Sequence, residues 1–319
     1  MARILAVDEA WDPVAVAPTA LQVVDGVDLT GKTCVITGAS AGLGRESARA
    51  LAAAGSHVLM AGRNEGDLAD AADWVRAQVP GAQTSTVLLD LTSLASVRAA
   101  AAAIRDIAPT IDVLMNNAGV MFTPFSRTSD GFEIQFGTNH LGHFELTRLL
   151  VPALVEGARI VVLSSDGHRM SDVDFDDPNW EQRDYDKFAA YGASKTANVL
   201  HMIELDRRLR DRGVRALAVH PGVVATSLAR HMTRDDFAAL NRFTPAKAER
   251  VDVLRDFTTP EHGAATQVWA AVSPELAGIG SVYLADCGIR DDVAAYAVDE
   301  ARAAELWSLS ERLCGSSNG

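Results

Sequence analysis

Thr33-Cys34-Val35-Ile36-Thr37-Gly38-Ala39-Ser40-Ala41-Gly42-Leu43-Gly44 is the stretch on which the reading of this 319-residue chain turns. The β-branched run from Thr33 to Thr37 reads as a short buried strand. It runs straight into Gly38, Gly42 and Gly44, after which residues 45–54 read as a helix. A strand, a glycine-rich turn and a helix N-terminus together make a diphosphate site. The glycines let the backbone approach the ligand, and the first-turn amides and helix dipole face its charge. The competing reading, a plain strand-to-helix loop, has no need of three glycines at this spacing.

Outward from that turn, strands and helices alternate. Residues 56–61 form a second strand, followed by Gly62-Arg63-Asn64. About twenty residues past the glycines is where a dinucleotide fold reads the adenosine ribose, and an acid there binds the 2′-hydroxyl of NAD. This chain has Arg63 and no acid, which favours NADP with Arg63 against the 2′-phosphate; the alternative is a solvated arginine after a strand. Residues 68–79 read as a helix and 84–89 as a third strand ending in Asp90-Leu91, where Asp90 could accept from an adenine amine. Thr92 or Ser93 caps a helix to Ile107, and residues 112–115 form a fourth strand closing in Asn116-Asn117-Ala118-Gly119. The alternation predicts a parallel sheet with helices on both faces and ligands at the carboxyl ends of its strands.

The second half continues the pattern. A long helix is expected over 132–154, carrying Asn139, then a fifth strand over 159–163 that delivers Ser164-Ser165. Residues 166–187 are polar and strongly acidic and read as a loop beside the site. A helix over 188–212 bears Tyr191 and Lys195. Four-residue spacing puts both on one helix face, one turn apart. A phenol titrates near pH 10, and a nearby ammonium favours the phenolate, so the pair suits a general acid/base, although such pairs also occur on ordinary helices. Residues 214–219 form the sixth strand, ending in His220-Pro221-Gly222 on the same side. Residues 227–260, with weak periodicity, are where a substrate lid would sit. A helix to Val272, a last strand over 280–284 and an amphipathic helix over 301–313 follow. The apolar stripe Leu306, Trp307, Leu309 and Leu313 is core or interface.

Composition narrows the function classes. The hydrophobic share is 48%, enough for a substantial core, and the net charge of −13 argues against nucleic acid or an anionic membrane as partner. Cys34, Cys287 and Cys314 form neither a disulfide framework nor a zinc pattern and read as reduced thiols. His140 and His143 read as a helix face rather than metal ligands. No signal peptide or membrane span is legible. Residues 1–30, with Pro13 and Pro18, read as a surface extension holding a short helix near 19–24, ahead of one domain over 31–319.

Taken in order, Thr37-Gly38-x-x-x-Gly42-x-Gly44, Asn116-Asn117-Ala118-Gly119, Asn139, Ser165, Tyr191-x-x-x-Lys195 and Pro221-Gly222-x-x-x-Thr226 resemble the classical short-chain dehydrogenase/reductase family over roughly residues 30–290. Ala61-Gly62-Arg63-Asn64, the run from Asn139 to Phe144, His220-Pro221-Gly222-Val223-Val224 and the run from Gly280 to Cys287 are similar to its retinol-dehydrogenase-like, oxidoreductase-domain branch. The resemblance implies a single-domain, Rossmann-like, doubly wound sheet of about seven strands. It implies Tyr191 as acid/base, Lys195 as its partner and a hold on the nicotinamide ribose, Ser165 rather than Ser164 on the substrate oxygen, and Asn139 fixing a relay water. Tyr185 is a decoy, because Ala189 stands four residues on. NADP(H) would lie against Gly38, Ser40, Gly42, Leu43, Gly44, Arg63, Asp90, Leu91, Asn117, Ala118, Gly119, Tyr191, Lys195, Pro221, Gly222, Val224 and Thr226.

The activity implied is carbonyl–alcohol interconversion on a hydrophobic molecule of the retinoid, steroid, polyketide or other secondary-metabolite kind. A cytoplasmic enzyme assembled as a homo-dimer or homo-tetramer is expected. The contrasting reading is a non-redox protein on the same scaffold, a cofactor sensor, lyase or cyclase. An extended epimerase or dehydratase fits the glycine spacing less well.

Overall fold

Strands that are apolar on both sides need a helical layer on each face of the sheet. The computed structural model, which describes residues 17–224, 228, 232, 233, 236 and 258–315, has two such layers. Its first half holds α1 (Ala20–Val23), β1 (Thr33–Thr37), α2 (Gly42–Ala53), β2 (His57–Gly62), α3 (Glu65–Gln78), β3 (Gln83–Leu88), α4 (Leu94–Ile107) and β4 (Ile111–Asn116). There follow α5 (Ile134–Phe136), α6 (Gly142–Leu150), β5 (Leu154–Leu163), α7 (Lys187–Leu209) and β6 (Arg215–Val219). The last elements are α8 (Pro260–Gly263), α9 (Ala265–Val272), β7 (Val282–Ala285), β8 (Gly288–Arg290) and α10 (Glu300–Gly315).

Successive strand residues point to opposite faces. Val35, Leu59, Leu114, Ile160 and Ala216 face the layer of α4, α6, α7 and α10. Their neighbours Cys34, Val58, Met115, Val161 and Leu217 face α1, α2, α3 and α9. In α1, Thr19 and Gln22 form a reciprocal capping box. The sheet order is β3-β2-β1-β4-β5-β6-β7-β8. The order reverses between β1 and β4, so the crevice at their carboxyl ends is where such a sheet takes a ligand.

Two expectations need correction. The sheet has eight strands, not about seven: β8 pairs antiparallel with β7 across a tight turn. Its turn residues Asp286 and Cys287 both lie at positive φ, +51° and +54°, a geometry normally signalled by glycine or asparagine, so the hairpin is hard to see in sequence. The single helix expected over 132–154 is also broken. A wide π turn, Gly137–Leu141, separates α5 from α6, and a 3-10 turn through Pro152 ends the run. β5 therefore begins at Leu154, five residues early, its first half disguised by exposed Glu156 and Gly157. The expected extension before residue 17, Thr226 and most of the 227–260 lid lie outside the described residues.

Candidate active site

The glycine turn supports a close backbone approach. Gly38 and Gly42 sit at φ +67° and +53°, where a side chain is strained. Gly44 is constrained by space: a Cβ there would fall 2.3 Å from the carbonyl of Gly38 and 2.7 Å from Nδ2 of Asn117. Helix α2 starts at Gly42, three residues before the expected start, with Ala41 as an N-cap that makes no side-chain hydrogen bond. Its first amides thus have no side-chain acceptor at the cap, as an anion site at a helix N-terminus requires.

Thr37, absent from the sequence-based list, ties this turn to β4. Its hydroxyl accepts the N–H groups of Asn117 (2.9 Å) and Ala118 (3.0 Å) and lies 2.8 Å from Nε2 of His143. Asn117 is a clasp: its Nδ2 donates to the carbonyl of Thr37 at 2.7 Å, and its Oδ1 accepts from Gln267 at 3.2 Å. A ligand would meet the backbone of Asn117 and Ala118 rather than that amide.

At the end of β5, Ser165 caps the following turn, its hydroxyl accepting Gly167 N–H at 3.0 Å. Tyr191 and Ser165 border the same glycine: a Cβ on Gly167 would fall 2.6 Å from Cε1 of Tyr191 and 3.3 Å from Oγ of Ser165. The Tyr191 ring packs edge-on to Phe122, 4.9 Å between centroids. Phe122, Phe188 and Tyr191 form an apolar cluster flanked by Met121, Met170 and Met232. Lys195 is buried one turn beyond Tyr191, its Nζ donating to the carbonyl of Leu163 at 3.1 Å. Asn198 donates to the same carbonyl at 2.9 Å.

Asn139 lies on the π turn. Its Nδ2 donates to Val120 carbonyl and to Ser194 Oγ, both at 2.9 Å, and its Oδ1 accepts Val120 N–H at 2.8 Å. The side chain thus secures the loop after Gly119. A Cβ on Gly119 would meet both Asn139 Oδ1 and Lys195 Nζ, at 3.1 and 3.7 Å, so that glycine keeps the two groups next to a common opening.

The electrostatics depart from expectation. Burial pushes the Tyr191 phenol up to about 12, only partly offset by Ser165, and pulls Lys195 down to about 8. Desolvation disfavours each charged form and outweighs any help the ammonium gives the phenolate. Lys195 Nζ lies 5.7 Å from the Tyr191 ring centroid and points toward Leu163.

The outlying candidates fall as follows. Arg63 is exposed just past β2, with no ion pair among the described residues. Asp90 is engaged with Thr92, whose N–H and hydroxyl reach Oδ1 at 2.9 and 2.7 Å. Leu91 packs under Gly142. Gly222 takes φ +80° after Pro221, and Val224 packs with Leu43 around Gly263, holding the end of β6 near the glycine turn. Ser40 is half-buried in that turn, whereas Thr226 lies outside the described residues. Tyr185 is engaged with Glu133 and Gln135, away from Lys195. Gln267, Ser194 and Asn198 were missed because a lone polar residue inside a helix carries no periodic signal.

The comparisons with known proteins agree on one lineage. The profile of a family described as short chain dehydrogenase matches residues 32–236. The chain belongs to the short-chain dehydrogenase family. This short-chain dehydrogenase is 40% identical to retinol dehydrogenase 14 of Mus musculus over 300 residues, 89% of this chain and 86% of the relative. It is 38% identical to the WW domain-containing oxidoreductase of Homo sapiens over 305 residues, 92% of this chain and 71% of that one. A solved structure of an uncharacterized protein from Mycobacterium Paratuberculosis aligns at 36% identity with a TM-score of 0.71, covering 91% of this chain and 95% of that one. The angucycline C-6 ketoreductase LanV with bound NADP aligns at 21% identity and TM-score 0.64 over 82% and 95% of the two chains, a likeness of fold alone. Among the described residues of this short-chain dehydrogenase, no helix is long and apolar enough to cross a membrane, and no cluster of three or more His, Cys, Asp or Glu could hold a metal ion.

Proposed function

We propose that this short-chain dehydrogenase is an NADP(H)-dependent oxidoreductase that interconverts a carbonyl and an alcohol on an apolar small molecule. The observation that carries the reading is the convergence of the Tyr191 ring and the Ser165 hydroxyl on Gly167 at the carboxyl edge of the sheet, with Lys195 buried one helical turn away. The positive-φ glycines, the close approach at Gly44 and the uncapped start of α2 suit a dinucleotide diphosphate, and exposed Arg63 suits a 2′-phosphate. When bound, the nicotinamide supplies the hydride. Lys195 and the backbone at residues 117–119 border the place where its ribose would lie.

The chain's own groups handle the proton. With its pKa near 12, Tyr191 is protonated at neutral pH, the state a donor needs. In reduction its hydroxyl gives a proton to the oxygen as alkoxide charge develops, while Ser165 donates a hydrogen bond to the same oxygen. In oxidation Tyr191 receives that proton back. Phe122, Phe188 and the three methionines beside Tyr191 offer an adaptable apolar wall. Retinol, named in the relatives, is an alcohol that such a wall would take.

The test follows NADPH oxidation over a panel of aromatic and long-chain aldehydes and ketones. Tyr191→Phe should bind NADPH as wild type does, yet turn over about a hundredfold or more slower. Turnover equal to wild type on an accepted carbonyl would refute the assignment.

A further inference from the structure

Ser165 belongs to a turn that is anchored at a distance. The segment Asp166–Met170 presses glycine-close on α7: a Cβ at Gly167 would fall 2.6 Å from Cε1 of Tyr191, and one at Gly192 would fall 2.8 Å from Ser171 N. At its centre is His168, fully buried. Its Nδ1 lies 2.8 Å from the carbonyl of Ser165, and its Nε2 lies 3.2 Å from the N–H of Ala294. The ring stands edge-on to Tyr283 at 5.2 Å. The His168 carbonyl accepts the hydroxyls of Tyr296 (2.9 Å) and Thr196 (3.0 Å). A backbone carbonyl only accepts and a backbone N–H only donates, so the imidazole is held neutral with its proton on Nδ1.

We propose that His168 is a positioning residue for Ser165, latching the serine's turn to residues 294–296 so that the C-terminal part of the chain sets the hydroxyl that borders Gly167 beside Tyr191. The kinetic half of this inference rests on the function proposed above; the latch itself does not. Protonating Nε2 would set an N–H against the N–H of Ala294 and open the latch. The groups facing the ring are Asp166 and Arg169 of its own turn, His220 at the end of β6, Tyr283 of β7, and Tyr296. Asp166 and Arg169 oppose each other, and burial disfavours the charged ring most strongly. The latch is therefore closed at neutral pH and opens in acid.

Hydrogen exchange on the full chain tests the latch without turnover. At pH 7.5, His168→Ala should speed exchange of residues 165–171 and 292–298 together by about tenfold, with β1 to β3 unchanged. His168→Gln, whose amide can donate to Ser165 and accept from Ala294, should restore protection. Wild type at pH 5, corrected for intrinsic rates, should show the same paired rise, and the Gln variant should not. With NADPH and an aromatic aldehyde, His168→Ala should lose about tenfold or more in kcat with KM for NADPH within about threefold, and Gln should recover most of it. Unchanged exchange at 165–171, loosening spread over the whole sheet, or a kcat loss that Gln does not recover would overturn the latch. Paired exchange responses without turnover on any carbonyl would uphold the latch and overturn the enzymatic reading instead.

Discussion

Tyr191 and Lys195 share a helix face, yet burial rather than their mutual charge governs both. A lysine whose pKa is pulled down to about 8 carries its charge below that pH and loses it above. Carbonyl reduction should therefore fall as pH rises through about 8, while the phenol, up near 12, stays protonated across the range. A reduction profile flat from pH 6 to 10 would show that the charge on Lys195 does not matter. Arg63 stands exposed just past β2, and the proposed use of NADP(H) gives it the 2′-phosphate, since guanidinium–phosphate pairs are strong and geometrically specific. Arg63→Ala should weaken NADPH about tenfold and NADH little, read by fluorescence titration. Equal losses for both dinucleotides would remove the argument for NADP.

At the scale of elements, the π turn Gly137–Leu141 matters most. Extra-wide turns inside helices recur at functional sites because they re-aim one residue. Here the re-aimed residue is Asn139, whose three hydrogen bonds hold Val120 and Ser194 and thereby the loop from Gly119 to Phe122 beside Tyr191. Asn139→Ala leaves buried partners unpaired, at a cost of about 3 kcal/mol. Chemical denaturation should show that loss, and turnover should fall with it as the loop loosens. A variant with wild-type stability would mean these bonds are dispensable.

Across the whole molecule, three buried histidines join the π turn, α6, α7 and α10. The His201 ring lies 5.3 Å from His140, 5.4 Å from Phe144 and 6.0 Å from Trp307, and among the described residues neither of its nitrogens has a hydrogen-bond partner. Burial pulls His143 down to about 4 and His201 to about 3, and His140 well below its ordinary value. The folded state thus binds fewer protons than the unfolded one below the ordinary histidine value of 6.5. Stability is intact above pH 6.5 and drains away as pH falls toward 4. Melting curves should show this acid limb. His201→Phe, which removes two unpaired polar atoms with little change of shape, should raise Tm at pH 7 and flatten the limb. A lower Tm with an unchanged limb would place the acid sensitivity elsewhere.

The alternation of strand and helix, the glycine turn, the edge position of Ser165 and the Tyr191–Lys195 spacing were legible from the chain alone. Each is a local pattern, set by side-chain period or by glycine's freedom at positive φ, and needs no distant partner. The eighth strand, the broken helix around Asn139, the clasp role of Asn117 and the raised phenol were not legible. They depend on contacts between residues far apart in sequence and on how completely packing excludes water. Hydrogen-bond partners and desolvation are properties of the assembled core, and only the tertiary structure decides them.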